Sequence, residues 1–236
     1  MYRTNECNPE GMYMEANELL KKGVKFSEVG KHVEALEVFE KAIELDPQNV
    51  DSWNYKGVAL AKLGRIEKAL EVFEKALEID SNYVGAWNNK GIVLSKLKRY
   101  KKALEAFEKA IDLDPESHDV WYSLGFALAK LKRYKKALEA FEKAIDLDSS
   151  YVDAWNNKGV IFDKLKRYKK ALEAFEKAIE IDPGYVDAWY NKGFLLDKLR
   201  KNKKALEAFE KALEIDPLYK AFQNKTDFLE NTDKSY

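Results

Sequence analysis

The five tryptophans of this chain, Trp53, Trp87, Trp121, Trp155 and Trp189, each stand 34 residues from the next. Spacing that regular means one supersecondary unit copied end to end, which limits the fold before any local motif is read. Other residues keep the step. Gly23, Gly57, Gly91, Gly125, Gly159 and Gly193 form one series, and Ala35, Ala69, Ala103, Ala137, Ala171 and Ala205 a second. Phe39, Phe73, Phe107, Phe141, Phe175 and Phe209 form a third, while Pro47, Pro115, Pro183 and Pro217 share a phase that Ser81 and Ser149 fill elsewhere. Residues 96–114 recur letter for letter as 130–148. Six copies follow: 16–49, 50–83, 84–117, 118–151, 152–185 and 186–219.

Each copy reads as two helices. In 99–114, Ala103, Leu104, Phe107, Ala110 and Ile111 form one apolar stripe of period 3.6, and Trp87, Gly91, Leu94 and Leu97 form a stripe in the preceding half. A turn is expected around 98–100, and proline ends the second helix, as at Asp114-Pro115. Glycine inside a helix costs about 1 kcal/mol relative to alanine. Its recurrence in every copy implies a neighbour packed too close for a side chain.

Tryptophan, glycine four residues on, then alanine, phenylalanine, alanine and proline in a 34-residue frame resembles the tetratricopeptide repeat (TPR), and the resemblance covers 16–219. It implies an all-α, right-handed superhelical solenoid of antiparallel helix pairs. One departure recurs: the family usually has leucine before the glycine, and here stand Lys22, Lys56, Lys90, Lys158 and Lys192, with only Leu124 conforming. A lysine stem can lie along apolar surface, so the fold expectation stands.

The ends read as caps, because the outer side of a terminal unit must be polar. Residues 1–15 are expected to be a tail leading into the first helix, with 1–11 disordered. Residues 220–230 read as a capping helix, with Phe222, Phe228 and Leu229 inward, and 231–236 as a disordered tail. No run approaches the ~20 apolar residues of a membrane helix, and Met1–Glu10 has no apolar signal core. The single Cys7 leaves no internal disulfide to form. A cytoplasmic location is the expectation.

Nothing in the sequence is arranged for chemistry. His32 and His118 lack partners at ligand spacing, one cysteine builds no zinc site, and the glycines are dispersed rather than gathered in a phosphate loop. Neither a catalytic residue, a metal nor a cofactor is expected. Net charge is zero, yet the inter-helix turns are basic (Lys96, Lys98, Arg99, Lys101 and Lys102 in the third copy) and the ends of the second helices acidic.

With the tryptophan stripe facing inward, the resemblance implies that a second stripe of each first helix lines a concave groove for an extended peptide or partner helix. Carried onto this chain, the groove residues are Asn54, Tyr55, Asn88, Asn89, Tyr122, Phe126, Asn156, Asn157, Tyr190, Asn191 and Phe194. Asp51, Asp119, Asp153 and Asp187 fall on one rim, and a ladder of Lys62, Lys96, Lys130, Lys164 and Lys198 on the other. Asparagine both donates and accepts, which suits Asn89, Asn157 and Asn191 to a peptide backbone. Tyr122 with Phe126, and Tyr190 with Phe194, are i,i+4 aromatic pairs of the kind that anchor partners. Family members that grip chaperone C-termini use a clamp of two lysines, an arginine and an asparagine. Aspartate, asparagine, tyrosine and serine hold those positions here, and Lys21 alone is basic, so no chaperone tail is expected in such a clamp. The expectation is thus a non-catalytic protein–protein interaction scaffold. The alternatives are an acidic protein or nucleic acid on the lysine-rich edge, and self-assembly through the ends or through Met12, Tyr13 and Met14.

Overall fold

A computed structural model describes residues 9–217. Twelve α-helices and no strand occur among them: α1 (Pro9–Glu28), α2 (His32–Leu45), α3 (Val50–Lys62), α4 (Ile66–Ile79), α5 (Val84–Lys96), α6 (Tyr100–Leu113), α7 (His118–Lys130), α8 (Tyr134–Leu147), α9 (Val152–Lys164), α10 (Tyr168–Ile181), α11 (Val186–Lys198) and α12 (Asn202–Ile215). The fold is an all-α helical repeat. The chain divides into two compact units, residues 1–140 and 141–236, with the boundary inside α8.

In the first unit α1 packs on α2, α3 on α4 and α5 on α6; in the second, α9 packs on α10 and α11 on α12. First helices also touch one another, α1–α3–α5–α7 in the first unit and α9–α11 in the second. Each unit therefore presents a continuous face built from first helices.

Phenylalanine fills the middle of each copy. Phe39, Phe73, Phe107, Phe141 and Phe175 are at most 1% exposed, with alanines at 0% beside them. At Gly23, Gly57, Gly91, Gly159 and Gly193 the reason for glycine is what lies opposite. A Cβ on Gly91 would sit 2.7 Å from Phe107 Cδ1, and one on Gly193 would sit 2.6 Å from Phe209 Cδ1. The close neighbour implied by the recurring glycine is thus the phenylalanine ring of the same copy.

The tryptophans are partly buried, and Trp189 packs against the core cluster of Leu196, Ala205, Ala208 and Phe209. Their indole N–H groups donate to the loop before them: Trp53 to Pro47 O at 2.9 Å, Trp87 to Ser81 O at 2.8 Å, and Trp189 to Pro183 O at 3.0 Å. In the same loops the aspartate one residue earlier accepts from the backbone N–H two residues on, as Asp46 does from Gln48 and Asp182 from Gly184. That Asx turn and the indole bond together fix the link between copies. Tryptophan thus lies at the edge of the core and clamps the loop before it, while phenylalanine fills the centre.

The turn inside each copy runs over the three residues before the second helix; Tyr100 already belongs to α6. Arg99 N–H bonds to Leu94 O at 2.8 Å and Arg65 N–H to Leu60 O at 2.9 Å, the six-to-one bond of a Schellman close. Such a close puts one residue in the left-handed region. Gly30 and Gly64 take it at φ 76°, whereas Lys98, Lys132, Lys166 and Arg200 take it at φ 57–58°. A cation there suits the negative end of the first helix, at the cost of a crowded Cβ.

At the amino end the helix begins at Pro9, so residues 9–11 are helical and not part of a disordered tail. Proline's fixed φ and missing N–H suit a first helical position. The expected capping helix at 220–230 and the tail at 231–236 lie outside the described residues.

Gly91→Ala should lower the unfolding free energy by about 1–3 kcal/mol through overpacking. In an equilibrium urea titration, pairing it with Phe107→Leu should cost less than the two single changes added, since the smaller side chain makes room. Lys166→Gly should move the other way, raising stability by a few tenths to about 1 kcal/mol by relieving the left-handed lysine.

Candidate functional site

Much of the polar sequence of the first helices holds the copies to each other. Lys56, Lys90, Lys158 and Lys192 each lie over the tryptophan of their own copy, with the ammonium 5.2–5.7 Å from the ring centroid. The same ammonium reaches back to the preceding second helix: Lys56 to Glu40 at 3.0 Å, Lys90 to Glu74 at 3.0 Å, Lys158 to Glu142 at 3.1 Å and Lys192 to Glu176 at 2.9 Å. The lysine that replaces the family's leucine is thus a cation–π and ion-pair strut.

A second tie runs between asparagines. Asn89 Nδ2 donates to Asn54 Oδ1 at 3.0 Å, and Asn191 Nδ2 to Asn156 Oδ1 at 2.9 Å. Asn54 and Asn156 are 7% and 5% exposed. Their burial and mutual bonding make them part of the inter-copy packing, which corrects their reading as peptide contacts. Asn157 Nδ2 donates to the Asp153 carbonyl of its own helix at 2.9 Å. Asn88, half-buried, has its Oδ1 buried without a partner among the described residues.

The aspartate rim is similarly committed. Tyr83 donates its phenol to Asp51 Oδ1 and Tyr185 donates to Asp153 Oδ1, both at 2.6 Å. Burial first, then the bond to the Asp51 carboxylate, hold the Tyr83 phenol well above its ordinary pKa, so it stays a donor. Asp119 is exposed, with His118 Nε2 3.6 Å from its Oδ1, and Asp187 is half-buried.

The aromatic residues do gather around open space. A cavity of about 530 Å³ in the first unit is lined by Ile92 of α5, Tyr122 and Phe126 of α7, and the lysines Lys96, Lys98 and Lys130. Lys130 Nζ lies 4.8 Å from the Phe126 centroid. A hollow of about 240 Å³ in the second unit repeats the arrangement, with Val160 and Lys164 of α9 facing Tyr190, Asn191 and Phe194 of α11. There the Tyr190 and Phe194 rings stack at 6.5 Å, and Phe194 is 55% exposed. Tyr55, by contrast, stacks on Phe39 at 5.8 Å and is half-buried.

The lysine ladder is exposed throughout, Lys62 included, but its members differ in what they meet. Lys198 forms a 2.7 Å ion pair with Asp163 of the previous copy, which raises its pKa above the ordinary lysine value. Sequence reading overlooked Asp163, Tyr83 and Tyr185. The one available signal was spacing: each tyrosine lies 32 residues after the aspartate it binds. Among the described residues no group of three or more histidine, cysteine, aspartate or glutamate side chains is placed to hold a metal, and no helix is long and apolar enough to cross a membrane.

Burial, and after it the charge of Asp153, raises the Asp187 carboxyl above its ordinary pKa. A raised folded-state pKa contributes stability that is complete below the unfolded value and lost as pH rises through the folded one. Ionised Asp187 is therefore a burden at neutral pH. Asp187→Asn should raise the urea midpoint at neutral pH, and the gain should vanish as the pH falls through the carboxylate range. An equal gain at both ends of that range would reject burial and Asp153 as its cause.

Two family models, both described as tetratricopeptide repeat, match the chain, one over residues 13–84 and the other over 84–117, 118–151, 152–185 and 186–219. No curated protein sequence matches it. Among solved structures, YrrB, described as a TPR protein with an unusual peptide-binding site, is 32% identical over 81% of this chain and 99% of its own, with a TM-score of 0.61. MamA of Desulfovibrio magneticus is 29% identical over 72% of this chain and 97% of its own, with a TM-score of 0.64. PilF of Pseudomonas aeruginosa is 22% identical over 91% and 99% at a TM-score of 0.78, a likeness of fold alone. This chain belongs to the tetratricopeptide-repeat family.

Proposed function

We propose that the chain is a non-catalytic scaffold that binds a peptide segment of a partner protein on the face formed by its first helices. The observation that carries this reading is the open apolar cavity at Ile92, Tyr122 and Phe126, repeated in kind at Val160, Tyr190 and Phe194. A cavity of about 530 Å³ holds one or two large side chains, and aromatic walls supply most of the binding energy at such anchors. YrrB, which this chain matches over nearly all its length, is described as having a peptide-binding site, and that supports the same use.

The asparagines have a narrower part. Asn54 and Asn156 hold neighbouring copies, which leaves Asn89 and Asn191 with an amide oxygen each to offer a peptide N–H. Sequence selection then falls to the aromatic anchors and to the charges beside them. The chaperone-tail clamp remains unsupported by the residues present, because Asp51 and Asp153 would face an incoming carboxylate.

The competing use, an acidic polymer on the lysine-rich edge, rests on Lys98, Arg99, Lys101 and Lys102, which border a separate hollow of about 480 Å³. The two uses separate by substitution. For a peptide selected by display on the full chain, Tyr122→Ala with Phe126→Ala should weaken binding about tenfold or more by fluorescence anisotropy. Lys101→Glu with Lys135→Glu should leave it within about twofold. The reverse pattern, joined to a steep loss of affinity with salt, would transfer the function to the edge.

A further inference from the structure

The two aromatic hollows are built alike and charged differently. Lys130 and Lys198 occupy the same position in copies four and six. Thirty-five residues before each stands the residue that sets its surroundings: Asp163 before Lys198, and Ser95 before Lys130. Asp163 pairs with Lys198 at 2.7 Å and lines the hollow of the second unit beside Lys164, so carboxylate and ammonium offset each other there. Ser95 lines the cavity of the first unit, and its Oγ is buried with no partner among the described residues. No carboxylate lines that cavity, while three ammonium groups do: those of Lys96, Lys98 and Lys130.

Resting on the proposed peptide-binding reading, we propose that residues 95 and 163 set the charge preference of the two hollows. With Ser95 the cavity in the first unit takes an aromatic or large aliphatic anchor with a neighbouring Asp or Glu. With Asp163 the hollow in the second unit takes the same kind of anchor without an acidic neighbour. The physical grounds are the apolar wall of Ile92, Tyr122 and Phe126, which suits the anchor, and the lysines beside it, which meet a carboxylate with charge-assisted hydrogen bonds. The Lys130 ammonium over the Phe126 ring is held 4.8 Å from its centroid, so it stands at the anchor site rather than away in solvent.

The test uses the full chain and a displayed library of short peptides with one fixed central phenylalanine and randomised flanks. The parent chain should enrich Asp and Glu beside the phenylalanine. An Asp-flanked peptide so selected should bind about tenfold more tightly than its Asn-flanked analogue, with a preference that shrinks in added salt. Ser95→Asp should abolish that preference without loss of folding, since aspartate occupies the equivalent site at 163, and circular dichroism melting checks this. Asp163→Ser, made in the Ser95→Asp background, should restore an acidic preference that now depends on Tyr190 and Phe194. If acidic and neutral flanks are enriched alike while Tyr122→Ala and Phe126→Ala, combined with Tyr190→Ala and Phe194→Ala, abolish capture, the charge assignment is overturned and the peptide-binding reading stands. If those four aromatic changes together leave capture intact, both fall. If light scattering finds a dimer that Ser95→Asp dissociates, the cavity serves a second copy and the peptide assignment is overturned.

Discussion

Everything in this fold depends on a phenylalanine ring pressed against a helix that has no side chain at the point of contact. Gly57 opposes Phe73, Gly91 opposes Phe107 and Gly159 opposes Phe175, in each case too closely for a Cβ. The partners are 16 residues apart, so one helix hairpin completes the contact by itself. The short axial distance that results brings Ala69, Ala103 and Ala171 to zero exposure beside it. Burying a phenylalanine is worth about 2–3 kcal/mol, against about 1 kcal/mol for the glycine, so the exchange favours the helix pair. Because the contact is local, one hairpin can be copied without redesign. The chain does so nearly letter for letter.

Joining the copies is a different problem, and polar groups solve it. The lysine strut combines three weak interactions: an apolar stem on the indole, a cation–π contact and an ion pair with the previous second helix. Each alone is worth a fraction of a kcal/mol to about 1 kcal/mol where solvent reaches it. They act on a side chain only 15–21% exposed, where water competes less. The buried asparagine pairs and the tyrosine-to-aspartate bonds add directional contacts that a slipped register would leave unsatisfied, a cost of about 1–3 kcal/mol per buried group. Apolar packing thus makes the hairpin, and polar pairing fixes how one hairpin sits on the next.

That division explains which parts of the structure could be read in advance. Periodicity located the helices and the close approach at the recurring glycine, because each follows from a stripe within one copy, while the phenylalanine that makes the approach needed the structure. It did not show that Trp53 and its equivalents also clamp the preceding loop, because the indole bond to Pro47 or Ser81 leaves no mark on the helical phase. Asn54 and Asn156 failed for a related reason. A helical wheel shows that an asparagine faces the neighbouring first helix side, but the partner that satisfies it lies 35 residues away on the next copy. Tyr83 and Asp51 pair the last residue of a copy with the start of its first helix, 32 residues apart, and no stripe contains both.

Near-identity among the copies gives the few differences unusual weight. A lysine ladder reads as uniform charge only if every rung has the same residue 35 places before it, and within the two units those residues are Ala61, Ser95 and Asp163. An alanine or a serine leaves its lysine charged, and an aspartate neutralises it. Such changes leave the hairpin untouched, because none of these three positions meets a core phenylalanine in the glycine contact. A repeat protein can therefore vary its surface chemistry copy by copy at little structural cost, provided the variation falls where the copies neither pack nor pair. In this chain Ser95, beside the cavity of the first unit, meets that condition, whereas Asp163, which pairs with Lys198 of the next copy, and the paired asparagines of the same helices do not.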